Sequence, residues 1–126
     1  PILQFHGDES QDFCASFNLP YIKAISMNEK DFQKKIIEFG DAFAILLDSG
    51  GQKIRGGTGK TFDWKLIPKE IKNNLIIAGG LNSNNITSLI ESYKPYGIDL
   101  ASGVESKPGK KDIAELKHFL KVVDEI

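Results

Sequence analysis

This sequence is poor in the features that mark several protein classes. It has one cysteine, Cys14, in 126 residues, so no disulfide framework can form within it, and we expect it in the reducing cytoplasm. Its longest apolar run, AFAILL at 42–47, is far too short to span a bilayer. The formal net charge is −1, which gives no electrostatic reason to expect nucleic acid or a membrane as a partner.

Clusters of metal ligands are also missing from the sequence. No group of histidine, cysteine and carboxylate residues has the spacing of a metal site. We therefore expect no metal and no cofactor.

Short apolar runs alternate with segments of helical periodicity along the whole chain. Five β-prone runs occur at 2–5, 21–25, 42–47, 75–78 and 97–101. Their continuous apolarity favours strands covered on both faces, as in parallel sheets. The intervening helices are clearest near the end, where Asp112 is expected to cap a helix; Ser83 is a candidate cap for an earlier one. The sequence predicts one α/β domain over 1–126, built from five βα units.

Two architectures fit alternating βα units, namely an open doubly wound sheet and a (β/α)₈ barrel. Five units suffice for a flavodoxin-like sheet, whereas a whole barrel has eight strands and about 200 residues or more. Length alone favours the open sheet.

A glycine-rich loop, GGTGKT at 56–61, follows the third predicted strand. It resembles half of a nucleotide-binding P-loop, but the first glycine of that motif would fall on Ile54. We therefore reject a P-loop, and the loop needs another explanation.

Residues at the carboxyl ends of the strands are the candidates for function, because both architectures bind ligands there. Asp48 directly follows AFAILL, and a partly desolvated carboxyl at a strand mouth is suited to act as a general acid. The ordinary alternative is a turn cap before Ser49 and the glycines.

Two small-residue loops follow the fourth and fifth strands. Gly79 and Gly80 lie in one, and Ser102 and Gly103 in the other. Glycine lets backbone N–H groups approach an anion closely, and barrels often bind phosphate with the loops after their last two strands. Either loop alone is as well explained by a tight turn, but the pair favours a phosphate site.

Two further polar residues follow or end predicted strands. His6 comes after the first strand, where it either contacts substrate or, as is more common, satisfies local hydrogen bonds. Asp99 lies within the fifth, where alternation can aim it into a barrel interior, and a charge there must be paired or functional.

Several motifs together resemble the phosphoribosylanthranilate isomerase family. They are QFHGDE at 4–9, LLDS at 46–49, GGTGKTFDW at 56–64, AGGL at 78–81 and DLASGVESKPGKKD at 99–112. The resemblance covers essentially the whole chain, in the family's order. It implies an enzyme of tryptophan biosynthesis that rearranges N-(5-phosphoribosyl)anthranilate into its 1-deoxyribulose isomer, and it explains the glycine-rich loop as the one after barrel strand six.

The resemblance also assigns roles to the candidate residues. It implies that Asp48 is the general acid that protonates the ribose ring oxygen. It implies that Gly79, Gly80, Ser102 and Gly103 hold the substrate phosphate and that His6 and Asp99 bind substrate. The expected ligand is therefore a phosphorylated small molecule.

The chain departs from the family in its extent. The family's general base is a cysteine in a Lys-x-Cys-Gly motif on the first barrel strand, which this sequence lacks; Cys14 does not match it. We therefore expect 1–126 to correspond to strands four to eight, a barrel segment with little or no activity alone. Its open edges should drive self-association or pairing with the missing N-terminal part.

Other interpretations remain open from the residues alone. One is a non-catalytic phosphate-binding flavodoxin-like (βα)₅ module. Others are a different phosphate-binding barrel isomerase and a purely structural fragment that needs a partner.

Overall fold

The computed structural model describes residues 1–49 and 66–126. In chain order the elements are β1 (Leu3–Phe5), α1 (Gln11–Ala15), β2 (Tyr21–Ser26), α2 (Phe32–Glu38), β3 (Ala44–Asp48), β4 (Asn74–Ala78), α3 (Ile86–Tyr93), β5 (Gly97–Asp99), a 3-10 turn (Ser102–Val104), β6 (Glu105–Lys107), β7 (Lys110–Lys111) and α4 (Ile113–Asp124). The predicted α/β class is confirmed, and the five sheet strands fall on the five predicted runs.

The strand order decides between the two architectures. Strands β1 to β5 form one parallel sheet in the order β1-β2-β3-β4-β5. Because βαβ crossovers are right-handed, a sheet that adds each new strand on the same side has its connecting helices on one face. A flavodoxin-like sheet has the order 2-1-3-4-5 with helices on both faces, so the open doubly wound alternative is wrong. The observed order is that of consecutive strands of a (β/α)₈ barrel.

The two faces of the sheet differ in burial. On one face Ile25, Ile45, Leu47 and Ile77 are buried under the helices, in the core that also includes Phe119. On the other face Ala44 and Leu46 of the central strand are also buried, whereas Ile22, Ala24 and Ile76 on the neighbouring strands are only half-buried within the described part of the chain. In a barrel the helix-covered face is the outside, and the other face is the interior.

Two predicted helix caps have different outcomes. Asp112 caps α4 as predicted, because its carboxylate accepts a hydrogen bond from the backbone N–H of Glu115 at 3.1 Å. Ser83 does not cap α3, whose N-cap is Asn85. The chain between Ser83 and Asn85 forms turns closed by the side chains of Asn82 and Asn85, so the helix begins later than the sequence indicates.

Several expectations fall on other parts of the chain. The GGTGKT loop at 56–61 lies outside the described residues. The KPGKK run forms the exposed β6–β7 hairpin, where Lys111 pairs with Glu105 at 2.5 Å. No helix in residues 1–49 or 66–126 is long and apolar enough to cross a bilayer.

Candidate functional site

The candidate site is at the carboxyl ends of β3, β4 and β5. Asp48 ends β3 half-buried and is in register with Ala78 of β4, which is in register with Asp99 of β5. Residues in register across parallel strands point to the same face. Asp48 and Asp99 therefore project from the face opposite the helices. Their Cα atoms are about 10 Å apart, which is twice the spacing between neighbouring strands.

Gly79 brings the loop after β4 against the acid. Its φ is +85°, a conformation that favours glycine, and a Cβ at this position would overlap Ser49 Oγ and Asp48 Oδ1. Gly80 also has a positive φ, at +67°. The acid and the glycine loop are therefore in direct contact, with no room between them for a side chain at position 79.

Asparagine side chains fix the shape of this glycine loop. Asn85 is buried, its Nδ2 donates to the Gly80 carbonyl at 2.8 Å, and its Oδ1 accepts from the Asn82 N–H at 2.9 Å. Asn82 Oδ1 in turn accepts from the N–H groups of Asn84 and Asn85. These bonds hold the loop before any ligand binds.

The loop after β5 packs directly on the loop after β4. A Cβ at Gly103 would overlap the Leu81 carbonyl, so only glycine permits this approach. Ser102 begins the same 3-10 turn and is exposed. Lys111 lies nearby and donates to the Ala101 carbonyl at 3.1 Å. The structure thus joins the two loops that were predicted to bind phosphate into one surface.

Two hydroxyl groups at this surface have no hydrogen-bond partner in the described part of the chain. Ser49 Oγ and Ser83 Oγ are both fully shielded from solvent. Ser49 as a whole is 5% exposed. Buried hydroxyls are normally hydrogen-bonded, so each marks a place where a partner from outside the described residues can bind.

The loop after β1 is held by a buried lysine. Lys23 Nζ donates to the Gly7 carbonyl at 2.7 Å and to Glu9 Oε2 at 2.9 Å, and it lies 5.0 Å from the centre of the Phe39 ring. The hydrogen bond from Lys23 is the main cause that lowers the pKa of Glu9 from 4.5 to about 2. His6 is exposed at the start of this loop, on the strand two places from β3.

The predicted site residues therefore fall into two groups. Asp48 contacts the Gly79-Gly80 loop, and Gly103 contacts the same loop from the other side. Asp99 shares a row with Asp48, and His6 lies farther away on an edge strand. The sequence analysis missed Ser49, Ser83 and Asn85, although LLDS and AGGLNS contain the two serines next to residues that it did select.

Two other types of site find no support here. The described residues contain no group of three or more histidine, cysteine, aspartate or glutamate side chains that could hold a metal ion. Cys14 is fully buried in α1 beneath the helix-covered face, and burial raises the pKa of its thiol. A thiol in this position contributes to core packing and does not lie at the carboxyl ends of the strands, where a catalytic base would be needed.

Comparisons with known proteins agree with this geometry. Residues 1–122 match the family model described as N-(5'phosphoribosyl)anthranilate (PRA) isomerase. The chain is 48% identical over 123 residues to the N-(5'-phosphoribosyl)anthranilate isomerase of Legionella pneumophila (strain Corby), a match that covers 97% of this chain and 59% of the relative. The chain thus spans about three fifths of the length of such curated relatives.

The chain also matches solved structures of phosphoribosyl anthranilate isomerases. The phosphoribosyl anthranilate isomerase of Thermotoga maritima matches with a TM-score of 0.82 and 34% identity, covering 99% of this chain and 62% of that one. A phosphoribosyl anthranilate isomerase in complex with reduced 1-(o-carboxyphenylamino)-1-deoxyribulose 5-phosphate matches with a TM-score of 0.75 and 29% identity, covering 99% and 60%.

Proposed function

Because this chain belongs to the N-(5'-phosphoribosyl)anthranilate isomerase family, we propose that it supplies the acid and the phosphate site of that isomerase. The reaction is the Amadori rearrangement of N-(5'-phosphoribosyl)anthranilate to 1-(2-carboxyphenylamino)-1-deoxyribulose 5-phosphate. It proceeds in tryptophan biosynthesis, without a cofactor. In this proposal residues 1–126 correspond to strands four to eight of the barrel.

Asp48 is the general acid of this proposal. It donates a proton to the ribose ring oxygen as the bond from that oxygen to C1' breaks, and the nitrogen lone pair forms the C1'=N bond of a cationic Schiff base. A base then removes the C2' proton, and the electron pair of that bond returns toward nitrogen to give an enolamine. Transfer of a proton to C1' and loss of the proton from the C2' hydroxyl, whose electron pair forms the C2'=O bond, complete the ketone.

The phosphate of the substrate binds at the joined glycine loops. Gly79, Gly80, Ser102 and Gly103 present backbone N–H groups without side chains large enough to block an anion, and Ser83 offers an unpaired hydroxyl beside them. We assign substrate contacts to Asp99 and His6 as well, because Asp99 shares the face of Asp48 and His6 follows a strand end.

The chain by itself is proposed to be inactive. The rearrangement needs a base as well as an acid, and Cys14, the sole cysteine, is buried away from the strand mouths. Loss of a positioned proton-transfer group typically costs about 10²–10⁴-fold in rate, and loss of substrate orientation costs more.

The observation that carries the proposal is the contact of Gly79 with Asp48. This contact brings a carboxyl group beside the glycine loop that we propose for phosphate, and the substrate has its ring oxygen and its phosphate only a few bonds apart. The test is an NMR titration of the purified chain with inorganic phosphate, with sodium chloride at matched ionic strength as the control. A turnover assay with N-(5'-phosphoribosyl)anthranilate runs in parallel.

The expected result is phosphate-dependent shifts of the amide signals of Gly79, Gly80 and Gly103, without turnover. Shifts elsewhere, or none, would contradict the phosphate site. Turnover by the purified chain would contradict its proposed inactivity.

The open sheet edges lead to a second part of the proposal. Among the described residues β1 pairs only with β2 and β5 only with β4, and Ile22, Ala24 and Ile76 on the face opposite the helices are only half-buried. We propose that these surfaces associate, either between copies of the chain or with the N-terminal βα units of the family barrel. Light scattering tests self-association: a stable monomer of 13.9 kDa at high concentration excludes it.

A further inference from the structure

We propose that the Ser49 hydroxyl is a substrate-binding group that hydrogen-bonds a hydroxyl of the sugar in a bound sugar phosphate. The inference rests on the proposed phosphate site and adds a residue and a subsite to it. Ser49 is 5% exposed, and its Oγ has no hydrogen-bond partner in residues 1–49 or 66–126. A hydroxyl buried in this way lowers stability unless a partner arrives, and a bound ligand can supply that partner.

The position of Ser49 identifies the part of the ligand that it meets. Its Oγ and Asp48 Oδ1 lie against the same side of Gly79, so the hydroxyl sits between the acid and the glycine loop. Its backbone N–H is already bonded to the Ala78 carbonyl at 3.1 Å, which fixes the residue in place. The backbone of Ser49 is therefore fixed beside Gly79, while its hydroxyl has no hydrogen-bond partner among the described residues.

The chemistry of a pentose 5-phosphate matches that position. In the proposed function the ring oxygen lies at Asp48 and the phosphate at Gly80 and Gly103, so the sugar carbons must cross the space beside Gly79. Sugar hydroxyls both donate and accept hydrogen bonds, as a serine hydroxyl does. Ser83 Oγ also has no partner among the described residues; it belongs to the loop after β4, and we leave it for the phosphate.

The test compares two probes on the full 126-residue chain and on Ser49→Ala. Affinities for inorganic phosphate and for ribose 5-phosphate are measured by calorimetry, and their ratio isolates the contribution of the sugar. We expect Ser49→Ala to leave phosphate affinity unchanged and to lower the preference for ribose 5-phosphate by about three- to ten-fold, the value of one hydrogen bond. Ser26→Ala is the matched control, since Ser26 Oγ already accepts from the Asn28 N–H at 3.2 Å.

A second measurement does not depend on any ligand. If the Ser49 hydroxyl is unpaired in the free chain, Ser49→Ala removes an unsatisfied group and should raise the urea midpoint of unfolding. Ser26→Ala removes a paired hydroxyl and should lower that midpoint slightly. A variant that is more stable without ligand and poorer at binding sugar phosphate is the signature of a binding residue.

The outcomes separate this inference from the proposed function. If phosphate binds but the preference for ribose 5-phosphate is the same in Ser49→Ala, the Ser49 contact is wrong and the phosphate site stands. If neither probe binds to the wild-type chain, both are wrong. A lower urea midpoint for Ser49→Ala means that the hydroxyl has a structural partner, which also overturns the inference.

Discussion

The two ends of the parallel sheet treat their buried polar groups differently. At the amino end, the Asn73 side chain donates to the carbonyls of Ala42 at 2.6 Å and Gly40 at 3.2 Å, and the Tyr21 hydroxyl donates to Asp41 at 2.5 Å. At the carboxyl end, the buried Asn85 side chain is also hydrogen-bonded, but the hydroxyls of Ser49 and Ser83 are buried without a partner in the described residues.

We infer from the difference that the amino end serves stability and that the carboxyl end serves the proposed binding. Satisfied polar groups at the amino end fasten the turns between helices and strands. Unsatisfied groups and close glycine contacts at the carboxyl end cost stability, and a bound ligand can offset that cost. This is the division between the two ends that barrels show in general.

The largest expected effect is at Gly103. A Cβ in Gly103→Ala would overlap the Leu81 carbonyl, which belongs to the backbone and cannot move aside without shifting the glycine loop. We expect a loss of about 1–3 kcal/mol in the free energy of unfolding together with loss of phosphate binding. Urea unfolding and the phosphate titration measure the two effects.

Gly97→Ala is the control for that substitution. A Cβ at Gly97 would make ordinary contact with Ile76, 3.6 Å away, so neither property should change much. If Gly103→Ala behaves like Gly97→Ala, the contact between the two loops is wrong.

An amino-end substitution should separate stability from binding. Asn73→Ala leaves the carbonyls of Ala42 and Gly40 without their side-chain donor, and we expect the free energy of unfolding to fall by about 2 kcal/mol. Phosphate affinity should stay unchanged, because the residue lies at the opposite end of the strands. Asn84→Ala, at an exposed position, serves as the control and should change stability by less than about 0.5 kcal/mol. Weaker phosphate binding by a folded Asn73→Ala would contradict the expectation that the amino end affects stability and not binding.

The positions of the strands can be predicted well from the sequence, whereas the contacts at the carboxyl end of the sheet cannot. The five strands follow from apolar runs that are buried on the helix side, such as Ile45 and Leu47, because burial of that kind leaves a local pattern. The order of the strands in the sheet does not follow from such a local pattern, because it depends on which strands pair across long separations in the sequence. Length alone therefore favoured an open doubly wound sheet, which the observed order excludes.

The residues of the candidate site also differ in how well they can be predicted from the sequence. Asp48 and the glycine pairs could be selected because a strand end and a glycine-rich turn are visible in the sequence. The contact of Gly79 with Ser49 joins residues thirty positions apart, so no local pattern in the sequence reveals it. Asn85 was missed because its role, bonding the Gly80 carbonyl, exists only once the loop has folded.

The smallest expected effect concerns an exception at the carboxyl end, the paired charges of the loop after β1. Lys23 lowers the pKa of Glu9 from 4.5 to about 2, so the folded chain favours the ionised carboxylate. A depressed pKa contributes stability that is fully present above about pH 4.5 and is lost as the pH falls toward 2. Glu9→Gln lacks this contribution at every pH. As the pH falls through that interval, the stability of the wild type should therefore fall toward that of the variant.

Urea unfolding at a series of pH values from 7 to 2 measures this convergence. The stability gap between the wild type and Glu9→Gln should be constant above pH 5 and shrink below 4.5. Glu38→Gln, at an exposed position of α2, controls for the change in net charge. A gap that persists unchanged to pH 2 would mean that the carboxylate acts through its shape and hydrogen bonds rather than its charge. The loop of His6 would then be held by Lys23 and the carbonyl of Gly7, and its position would not depend on the ionisation of Glu9.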